Sequence, residues 1–286
     1  MTDASVTLAA PAKLNLFLRV LAREADGWHG LESLFCRISL ADALVIERRS
    51  SGVSIEVTGG DTGPSEENLA VRAARMVLEA TGNRFGVHIQ LVKQIPIRAG
   101  LGGGSSDAAA ALLGVNQLAA SAVPRHELLQ FASRLGSDIP FFVSGASLAL
   151  GWGHGERMLV LPPLPTHPAL LLVPPGGVST PEAYRWIDAD RETAPRRGAV
   201  AMELDGLRTW GSIGRLAGND FESTVFGRRP DIRAAFERLA GTHPLICRMC
   251  GSGSALFAVY RSVADRDDAA ATLGRKLGQV IPVETA

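Results

Sequence analysis

Alternating and continuously apolar runs fill most of the first sixty residues and predict β-strands. The predicted strands cover residues 5–9, 13–21, 32–40, 43–49 and 53–57, and Pro11 separates the first two. At Asn68 the apolar spacing changes to that of a helix, which we expect to run to Ala80 and to stop at Gly82. One face of this helix is apolar and consists of Leu69, Ala73, Val77 and Leu78.

The rest of the chain mixes helices and strands without the regular alternation of a doubly wound sheet, which favours an α+β fold. Helices are predicted at about 106–119, 124–135, 181–187, 230–240 and 263–277. Strands are predicted at 87–92, 141–143, 146–150, 169–173, 246–250, 255–260 and 279–283, with a turn at 136–140. A proline-rich stretch at 159–175 suggests a lobe boundary, so we predict domains over residues 1–162 and 163–286.

Composition and charge limit the possible partners. The chain of 286 residues is long enough for two lobes or one large domain, and its 46% hydrophobic and 20% charged content is ordinary for a globular protein. Lys plus Arg and Asp plus Glu both number 29, so the net charge favours neither nucleic acid nor an anionic membrane. The sequence shows no signal-peptide pattern and no apolar segment as long as a membrane span. We therefore expect a cytoplasmic protein without nucleic-acid or membrane partners.

Three cysteines, Cys36, Cys247 and Cys250, are too few for a disulfide scaffold and suit a reducing compartment. The last two have the C-x-x-C spacing that also occurs in metal and redox sites. They lie in an apolar stretch without a second pair of ligands nearby, so we expect buried structural thiols.

The most informative segment is PIRAGLGGGSSDAAAALL, from Pro96 to Leu113. Its four glycines fall within five positions, and glycine allows a loop to bring backbone N–H groups against a ligand. A small polar residue before the alanine-rich run indicates a capped helix start, and a helix N-terminus attracts phosphate. The segment fits neither the Walker A pattern nor the dinucleotide pattern, since Ser105 replaces the third glycine of the latter. Taken alone, the glycine cluster is equally compatible with a tight turn.

Two other segments carry candidate polar groups. PAKLNLFLRV places Lys13 and Asn15 on one face of a predicted strand. RMCGSGSALFAVY places Gly251-Ser252-Gly253-Ser254 between two apolar runs. Taken singly, the lysine is compatible with a solvated side chain and the second segment with a turn between strands.

Together and in this order, the three segments resemble those of the GHMP small-molecule kinases, such as galactokinase, homoserine kinase and mevalonate kinase. That family combines a P-x-K-x-N-type segment, a P-x-x-x-G-L-G-S-S-type phosphate loop and a G-S-G-type loop. The extended loop GLGGGSSDAAA narrows the resemblance, as do Asp26-Gly27-Trp28-His29 and Gly136-Ser137-Asp138-Ile139-Pro140-Phe141. These segments resemble the branch that acts on a cytidine diphosphate-linked methylerythritol, and the resemblance runs from about Pro11 to Tyr260.

The resemblance implies an α+β, two-lobe GHMP kinase fold, with a ribosomal protein S5 domain 2-like N-terminal lobe and a ferredoxin-like C-terminal lobe. It implies that ATP and a small-molecule acceptor meet in a cleft between the lobes. The ATP phosphates would bind the loop residues Pro96, Ile97, Arg98, Ala99, Gly100, Leu101, Gly102, Gly103, Gly104, Ser105 and Ser106. Asn68 would contact the adenine or its ribose. Magnesium is expected with ATP, and Ser106 is its predicted protein ligand, either directly or through a water molecule, while Asp107 would cap the helix or join the metal shell.

The resemblance also assigns the groups that act on the reacting hydroxyl. Asp138 matches the catalytic aspartate of the family and would accept the proton of the hydroxyl, although Ser-Asp-x-Pro also suits a turn or a helix cap. Lys13 would keep that carboxylate ionised and stabilise developing negative charge. Asn15 would orient these groups or the substrate by hydrogen bonding.

The remaining predicted contacts serve the acceptor. Trp28 and Tyr184 match the positions at which the family holds the cytosine between two aromatic rings, although the family more often has tyrosine at the first and phenylalanine at the second. His29 would bind the cytosine edge, whereas a histidine beside a tryptophan is also compatible with a packing role. The loop residues Gly251, Ser252 and Gly253 would approach the diphosphate of the acceptor or support the phosphate loop.

There are two alternatives, of which the first is another kinase of the same fold and the second belongs to a different class of function. A GHMP kinase for homoserine or a sugar would share the fold but would not need an aromatic stacking surface. A catalytically inactive nucleotide-binding protein would share the scaffold, but Lys13, Asp138 and the glycine loop are all intact. We expect a monomer or a weak homodimer.

Overall fold

The predicted α+β arrangement is present in the computed structural model, which describes residues 4–25, 27–193 and 203–286. The strands are β1 (Ser5–Arg23), β2 (His29–Arg49), β3 (Val53–Thr58), β4 (Gly86–Val92), β5 (Leu148–Gly153), β6 (Arg157–Val160), β7 (Pro168–Val173), β8 (Ile246–Met249), β9 (Leu256–Val259) and β10 (Gln279–Glu284). The helices are α1 (Leu69–Ala80), α2 (Gly103–Leu118), α3 (Arg125–Leu135), α4 (Ile139–Ser144), α5 (Thr180–Thr193), α6 (Trp210–Leu216), α7 (Phe221–Arg228), α8 (Pro230–Ala240) and α9 (Val263–Thr272). Short 3-10 helices lie at Ser65–Glu67, Leu204–Leu207 and Arg275–Leu277. Asp26, which belongs to one of the quoted motifs, lies outside the described residues.

The chain divides into two compact units, each assembled from separate stretches of sequence. The first unit contains the described residues of Met1–Ala12, Leu40–Ile97 and Gly102–Ala146. The second unit contains those of Lys13–Ser39, Arg98–Leu101 and Ser147–Ala286. The predicted domains are continuous in sequence, and their boundary at residues 162–163 stays a prediction.

In the first unit, helices pack with a short sheet. The C-terminal part of β2 pairs antiparallel with β4, and β3 pairs parallel with β4. Helix α2 packs against both α1 and α4. Both α1 and α2 bury several alanines, and short side chains allow helix axes to approach closely. This packing holds the start of α2, where the glycine loop enters the helix.

The second unit contains a four-stranded antiparallel sheet in the order β10-β7-β9-β8. Apolar residues of this sheet and of the helices α5, α7 and α8 form one core, which includes Leu172, Ile187, Phe221, Ile232 and Leu256. The N-terminal part of β2 pairs with β5, and β5 pairs with β6. The connection between β8 and β9 carries Gly251 to Ser254.

The first two strands are longer than predicted, because two expected breaks lie inside strands. Pro11 lies within β1, which pairs with β2 but is not part of the strand order β3-β4-β2-β5-β6. Proline is tolerated in a strand where its nitrogen needs no hydrogen-bond partner in the sheet. Asp42 lies within β2 and is 1% exposed, so the predicted polar joint is a buried charged residue.

Several helix predictions also needed correction. The residues predicted as a strand at 141–143 form the middle of α4, which has proline in its first turn and ends at Gly145 in the left-handed region. The final helix α9 ends at Thr272 and not at Leu277. The short elements α6, α7 and β6 were not predicted.

All three cysteines are buried free thiols, which confirms the burial expected for Cys247 and Cys250. Burial raises the pKa of Cys36 and of Cys250 to about 12 and also raises the pKa of Cys247. Each thiol therefore stays protonated at neutral pH, which suits a structural role.

Among the described residues, the structure contains no helix with the length and apolar character needed to cross a membrane.

Candidate active site

Lys13 lies in the part of β1 that belongs to the second unit, and it is buried, so a solvated lysine is ruled out at this position. Its Nζ donates to Oδ1 of Asn15 at 2.7 Å and to the carbonyl oxygen of Gly100 at 3.1 Å. Asn15 in turn donates to Oγ of Ser33 at 2.6 Å, and Ser33 donates to the carbonyl of Phe17 at 2.9 Å. The buried chain of hydrogen bonds fixes the ammonium group against the backbone of the glycine loop.

The glycine loop meets the β8–β9 connection at Gly100, also in the second unit. Gly100 has φ +80°, and a Cβ atom added there would overlap the carbonyl oxygen of Cys250. On either side of it, Ala99 accepts from the amide of Ala255 at 3.2 Å and Leu101 accepts from the amide of Lys13 at 3.0 Å. Only glycine satisfies both the backbone conformation and the close approach at position 100.

Gly100→Ala is expected to lower the stability of the protein. A side chain in the left-handed region costs about 1–3 kcal/mol, and the overlap with Cys250 adds to that cost. Gly104→Ala is the matched control, since no atom lies within 4 Å of the Cβ position at Gly104. Thermal unfolding of both variants measures the effect. Equal midpoints for the two variants would contradict the geometry described for Gly100.

Helix α2 begins three residues earlier than predicted, and no side chain caps it. Its N-cap is Gly102, with φ +74°, and the first helical bond runs from the amide of Ser106 to the carbonyl of Gly102 at 2.9 Å. The amides of Gly103, Gly104 and Ser105 consequently have no acceptor within the helix. The predicted capping by a serine or Asp107 is wrong, and the uncapped amides are suited to binding an anion.

The two polar residues that follow are buried in the first turns of α2. Ser106 is 1% exposed and Asp107 is 3% exposed. Ser106 Oγ and Asp107 Oδ1 find no hydrogen-bond partner among the described residues. A bound water or ion is one way in which such a buried oxygen gains a partner. Among the described residues, no group of three or more histidine, cysteine, aspartate or glutamate side chains could hold a metal by itself.

Asp107 belongs to a buried ionic cluster in the first unit that the sequence analysis did not identify. Lys93 donates to Asp107 Oδ2 at 2.7 Å and to Asp42 Oδ2. Asp42 Oδ1 accepts from the amides of Gln94 and Ile95, the latter at 2.8 Å. Burial raises the pKa of Asp107 to about 7, although the ammonium group of Lys93 opposes the shift. The cluster ties the residues before the loop to the helix after it.

Asp138 lies at the N-cap position of α4 in the first unit, and it is half-buried. Its side chain makes no capping hydrogen bond to the helix. Since a purely structural cap would use the carboxylate in that way, the helix-cap alternative loses its support. The catalytic role stays a prediction.

Around His29 the second unit forms a compact polar and aromatic cluster. The imidazole Nε2 lies 2.6 Å from Asp188 Oδ1, and the ring stacks on Tyr184 with 4.9 Å between ring centroids. Tyr184 also contacts Phe221 edge to face at 5.0 Å. Asp188, which the sequence analysis missed, holds the imidazole in place from a position 159 residues away.

Two other predicted contact residues also have partners in the protein. Trp28 is 64% exposed, and its ring stacks on His154 at 5.8 Å between centroids. Asn68 is the N-cap of α1, where its Oδ1 accepts from the amide of Ala70 at 2.9 Å. The stacking of cytosine between Trp28 and Tyr184 and the nucleotide contact of Asn68 stay predictions.

The β8–β9 connection in the second unit is closely held. Gly251 and Gly253 have φ +53° and +97°, which glycine adopts without strain. Ser252 is buried, and its Oγ lies 2.9 Å from Oγ1 of Thr180.

Of the remaining residues of the glycine loop, Ile97 and Arg98 are exposed, and Arg98 has φ +57°. Pro96 and Ile97 belong to the first unit with Gly102 to Ser106, and Arg98 to Leu101 belong to the second.

Known proteins resemble this chain in both sequence and fold. Residues 68–146, which contain the glycine loop and Asp138, match the family model described as the GHMP kinases N terminal domain. The class of protein that this match indicates is a GHMP kinase. A 4-diphosphocytidyl-2-C-methyl-D-erythritol kinase from Moorella thermoacetica is 42% identical over 257 residues, or 89% of this chain and 90% of that protein. One from Solibacter usitatus is 41% identical over 264 residues, or 89% of this chain and 81% of that protein. The chain belongs to the 4-diphosphocytidyl-2-C-methyl-D-erythritol kinase family.

A solved structure supports the same assignment. A crystal structure of 4-(cytidine 5'-diphospho)-2C-methyl-D-erythritol kinase matches this chain with a TM-score of 0.83 and 36% identity. The match covers 98% of this chain and 99% of that chain. The predicted α+β GHMP kinase fold is thereby confirmed.

Proposed function

We propose that this protein is an ATP-dependent kinase that phosphorylates the 2-hydroxyl of 4-diphosphocytidyl-2-C-methyl-D-erythritol and releases ADP. The 42% identity to a relative of that name, over 89% of the chain, is the observation that carries the proposal. The reaction serves the formation of isoprenoid precursors by the non-mevalonate route. We include in the proposal a cytoplasmic location, a monomer or weak homodimer, and no nucleic-acid partner.

The glycine loop binds the phosphates of ATP in this proposal. The uncapped amides of Gly103, Gly104 and Ser105 point their positive ends out of α2, where the helix dipole also favours negative charge. Gly100 lies on the N-terminal side of these amides in the loop, and its carbonyl oxygen accepts a hydrogen bond from Lys13 Nζ. Phosphoryl transfer depends mainly on such positioning and charge neutralisation.

Asp138 and Lys13 act on the reacting groups in this proposal. Asp138 takes the proton of the acceptor hydroxyl. At the same time the hydroxyl oxygen forms a bond to the γ-phosphorus, and the bond from that phosphorus to the oxygen of the leaving ADP breaks. Lys13 stabilises the negative charge that develops on the transferred group, and its buried bonds to Asn15 and Gly100 hold it ready for this role.

The buried, unpartnered Ser106 Oγ and Asp107 Oδ1 fit a magnesium ion that arrives with ATP, directly or through a water molecule. When bound, the ion would offset the negative charge of the phosphate oxygens. Ser106 is the proposed direct protein ligand. The carboxylate of Asp107 is already engaged by Lys93 through its other oxygen, which suits a water-mediated contact.

Recognition of the cytidine rests on the aromatic cluster of the second unit. Trp28 offers an exposed ring face, and Tyr184 offers a second ring beside His29. The hydrogen bond between Asp188 and Nε2 of His29 fixes the orientation of the imidazole ring. We propose that the other ring nitrogen, Nδ1, forms a hydrogen bond with the edge of the base. We propose that Gly251, Ser252 and Gly253 approach the diphosphate of the acceptor.

A coupled assay of ADP release tests the proposal. The purified protein is given ATP, magnesium and one of three acceptors: 4-diphosphocytidyl-2-C-methyl-D-erythritol, homoserine or mevalonate. We expect turnover only with the first. Turnover with homoserine or mevalonate and none with the cytidine compound would refute the proposed substrate, and no turnover with any acceptor would favour an inactive nucleotide-binding protein.

A further inference from the structure

Asn219, in the second unit, is a buried asparagine with all its side-chain hydrogen-bonding groups engaged. It is 7% exposed and immediately precedes the N-cap of α7. Its Nδ2 donates to the carbonyls of Met249 at 2.8 Å and Gly251 at 2.7 Å. Its Oδ1 accepts from the amide of Phe221 at 2.9 Å. The side chain therefore joins the start of α7 to the start of the β8–β9 connection.

The residues on either side of Asn219 are fastened to β1. The amide of Leu18 donates to the carbonyl of Gly218 at 2.8 Å, and the amide of Asp220 donates to the carbonyl of Leu18 at 3.0 Å. Oδ2 of Asp220 accepts from the amide of Val20 at 2.9 Å. The strand held in this way is the one that carries Lys13 and Asn15.

The β8–β9 connection, to which Asn219 is hydrogen-bonded, packs directly against Gly100. A Cβ atom added at Gly251 would lie 3.1 Å from the carbonyl oxygen of Gly100 and 3.7 Å from Asn15 Oδ1. The carbonyl of Gly100 is an acceptor for Lys13 Nζ. A shift of the Gly251 carbonyl would therefore be passed to Gly100 and to the ammonium group that it holds.

We propose that Asn219 is a positioning residue for the phosphoryl-transfer site, where it sets the β8–β9 connection against Gly100 and so fixes Lys13. The inference rests on the proposed kinase function, because the effect is read as turnover. Asparagine is required for its two donors: aspartate at this position would place carboxylate oxygens against two carbonyl oxygens, which leaves both carbonyls unpaired.

Asn116 is a matched control for the loss of an amide donor. It is 6% exposed, donates to the carbonyl of Val123 at 2.9 Å and accepts from the amide of Val123 at 2.9 Å. It lies near the C-terminal end of α2, about 20 Å along the helix from Gly103. Asn116→Asp removes a buried donor as Asn219→Asp does, but the side-chain bonds described for Asn116 go to Val123 and not to the residues that hold Lys13.

The test compares wild type, Asn219→Asp and Asn116→Asp for kcat, for the KM of ATP and for thermal unfolding. A misplacement of the order of an ångström at a reacting centre costs about 10²-fold in rate, so kcat of Asn219→Asp is expected to fall on that scale. Asn116→Asp is expected to lose stability and to keep the wild-type kcat. A wild-type kcat for folded Asn219→Asp, or an equal loss of kcat in both variants, would overturn the inference. An inactive wild type would instead refute the proposed function.

A second measurement separates positioning from a general loss of structure. In a Lys13→Met background, Asn219→Asp is expected to cause almost no further loss of kcat, because the group through which it acts is already gone. If the two losses multiply in full, Asn219 does not act through Lys13, and the inference is wrong. Should Asn219→Asp fail to fold, Asn219→Ser, which keeps one donor, is judged by the same criteria.

Discussion

Asp138→Asn is expected to retain ATP binding and to lose about 10²–10⁴-fold in turnover, the usual contribution of a general base. The amide has almost the same shape as the carboxylate but cannot take the proton of the acceptor hydroxyl. Because the Asp138 side chain does not cap α4, the substitution removes no capping bond, and thermal unfolding of the variant checks that it is folded. Steady-state kinetics and calorimetric titration with ATP measure the two effects.

Asp265→Asn is the control for this experiment, since Asp265 is an exposed carboxylate in α9. Its turnover should equal that of the wild type. Near wild-type turnover of Asp138→Asn would remove Asp138 from the proposed mechanism, whereas a loss of ATP affinity equal to the loss of turnover would assign it to nucleotide binding.

Lys93→Met is expected to lower the free energy of unfolding by about 3–5 kcal/mol, the cost of removing one partner from a buried ionic group. The substitution leaves the carboxylates of Asp42 and Asp107 buried without their shared cation. Denaturant unfolding measures the loss. Lys276→Met, which changes an exposed lysine, should stay within about 0.5 kcal/mol of wild type.

The loss in Lys93→Met should also depend on pH in a stated direction. Burial already raises the pKa of Asp107 to about 7. The substitution removes the ammonium group of Lys93, whose charge and hydrogen bond lower this pKa, so the pKa of Asp107 rises further in the variant. A carboxyl group with a raised pKa in the folded state stabilises that state when it is protonated, and this contribution disappears as pH rises through the folded pKa. The variant should therefore be less destabilised at about pH 5 than at about pH 8. A loss that is small, or that grows towards acid, would show that the three side chains are not one buried cluster.

The sequence marked part of the candidate site but not its surroundings. The glycine loop stood out by its four glycines within five positions, whereas Lys13 and Asp138 received their roles only from the resemblance to the GHMP kinases, and those roles stay predictions. Burial was not identifiable in the same way. Lys13 fitted a solvated strand position, and Asp42 fitted a polar joint, until tertiary contacts showed that both are enclosed.

The residues that support the site were missed because their partners are distant in sequence. Asp188 and Asn219 meet His29 and Gly251 only through folding of the second unit, and no local spacing marks such pairs. Local propensity also failed at Phe141 to Val143, where strand-forming side chains pack as a helix between Pro140 and Gly145. The proline and the left-handed glycine were the available signals for that helix.

The most direct test of the account is a crystal structure with a non-hydrolysable ATP analogue and 4-diphosphocytidyl-2-C-methyl-D-erythritol bound together. The account predicts that a carboxylate oxygen of Asp138 lies about 2.6–3.2 Å from the acceptor hydroxyl, with the Lys13 ammonium beside the γ-phosphate. A complex in which that hydroxyl approaches a different base, with Asp138 beyond hydrogen-bonding reach, would contradict it.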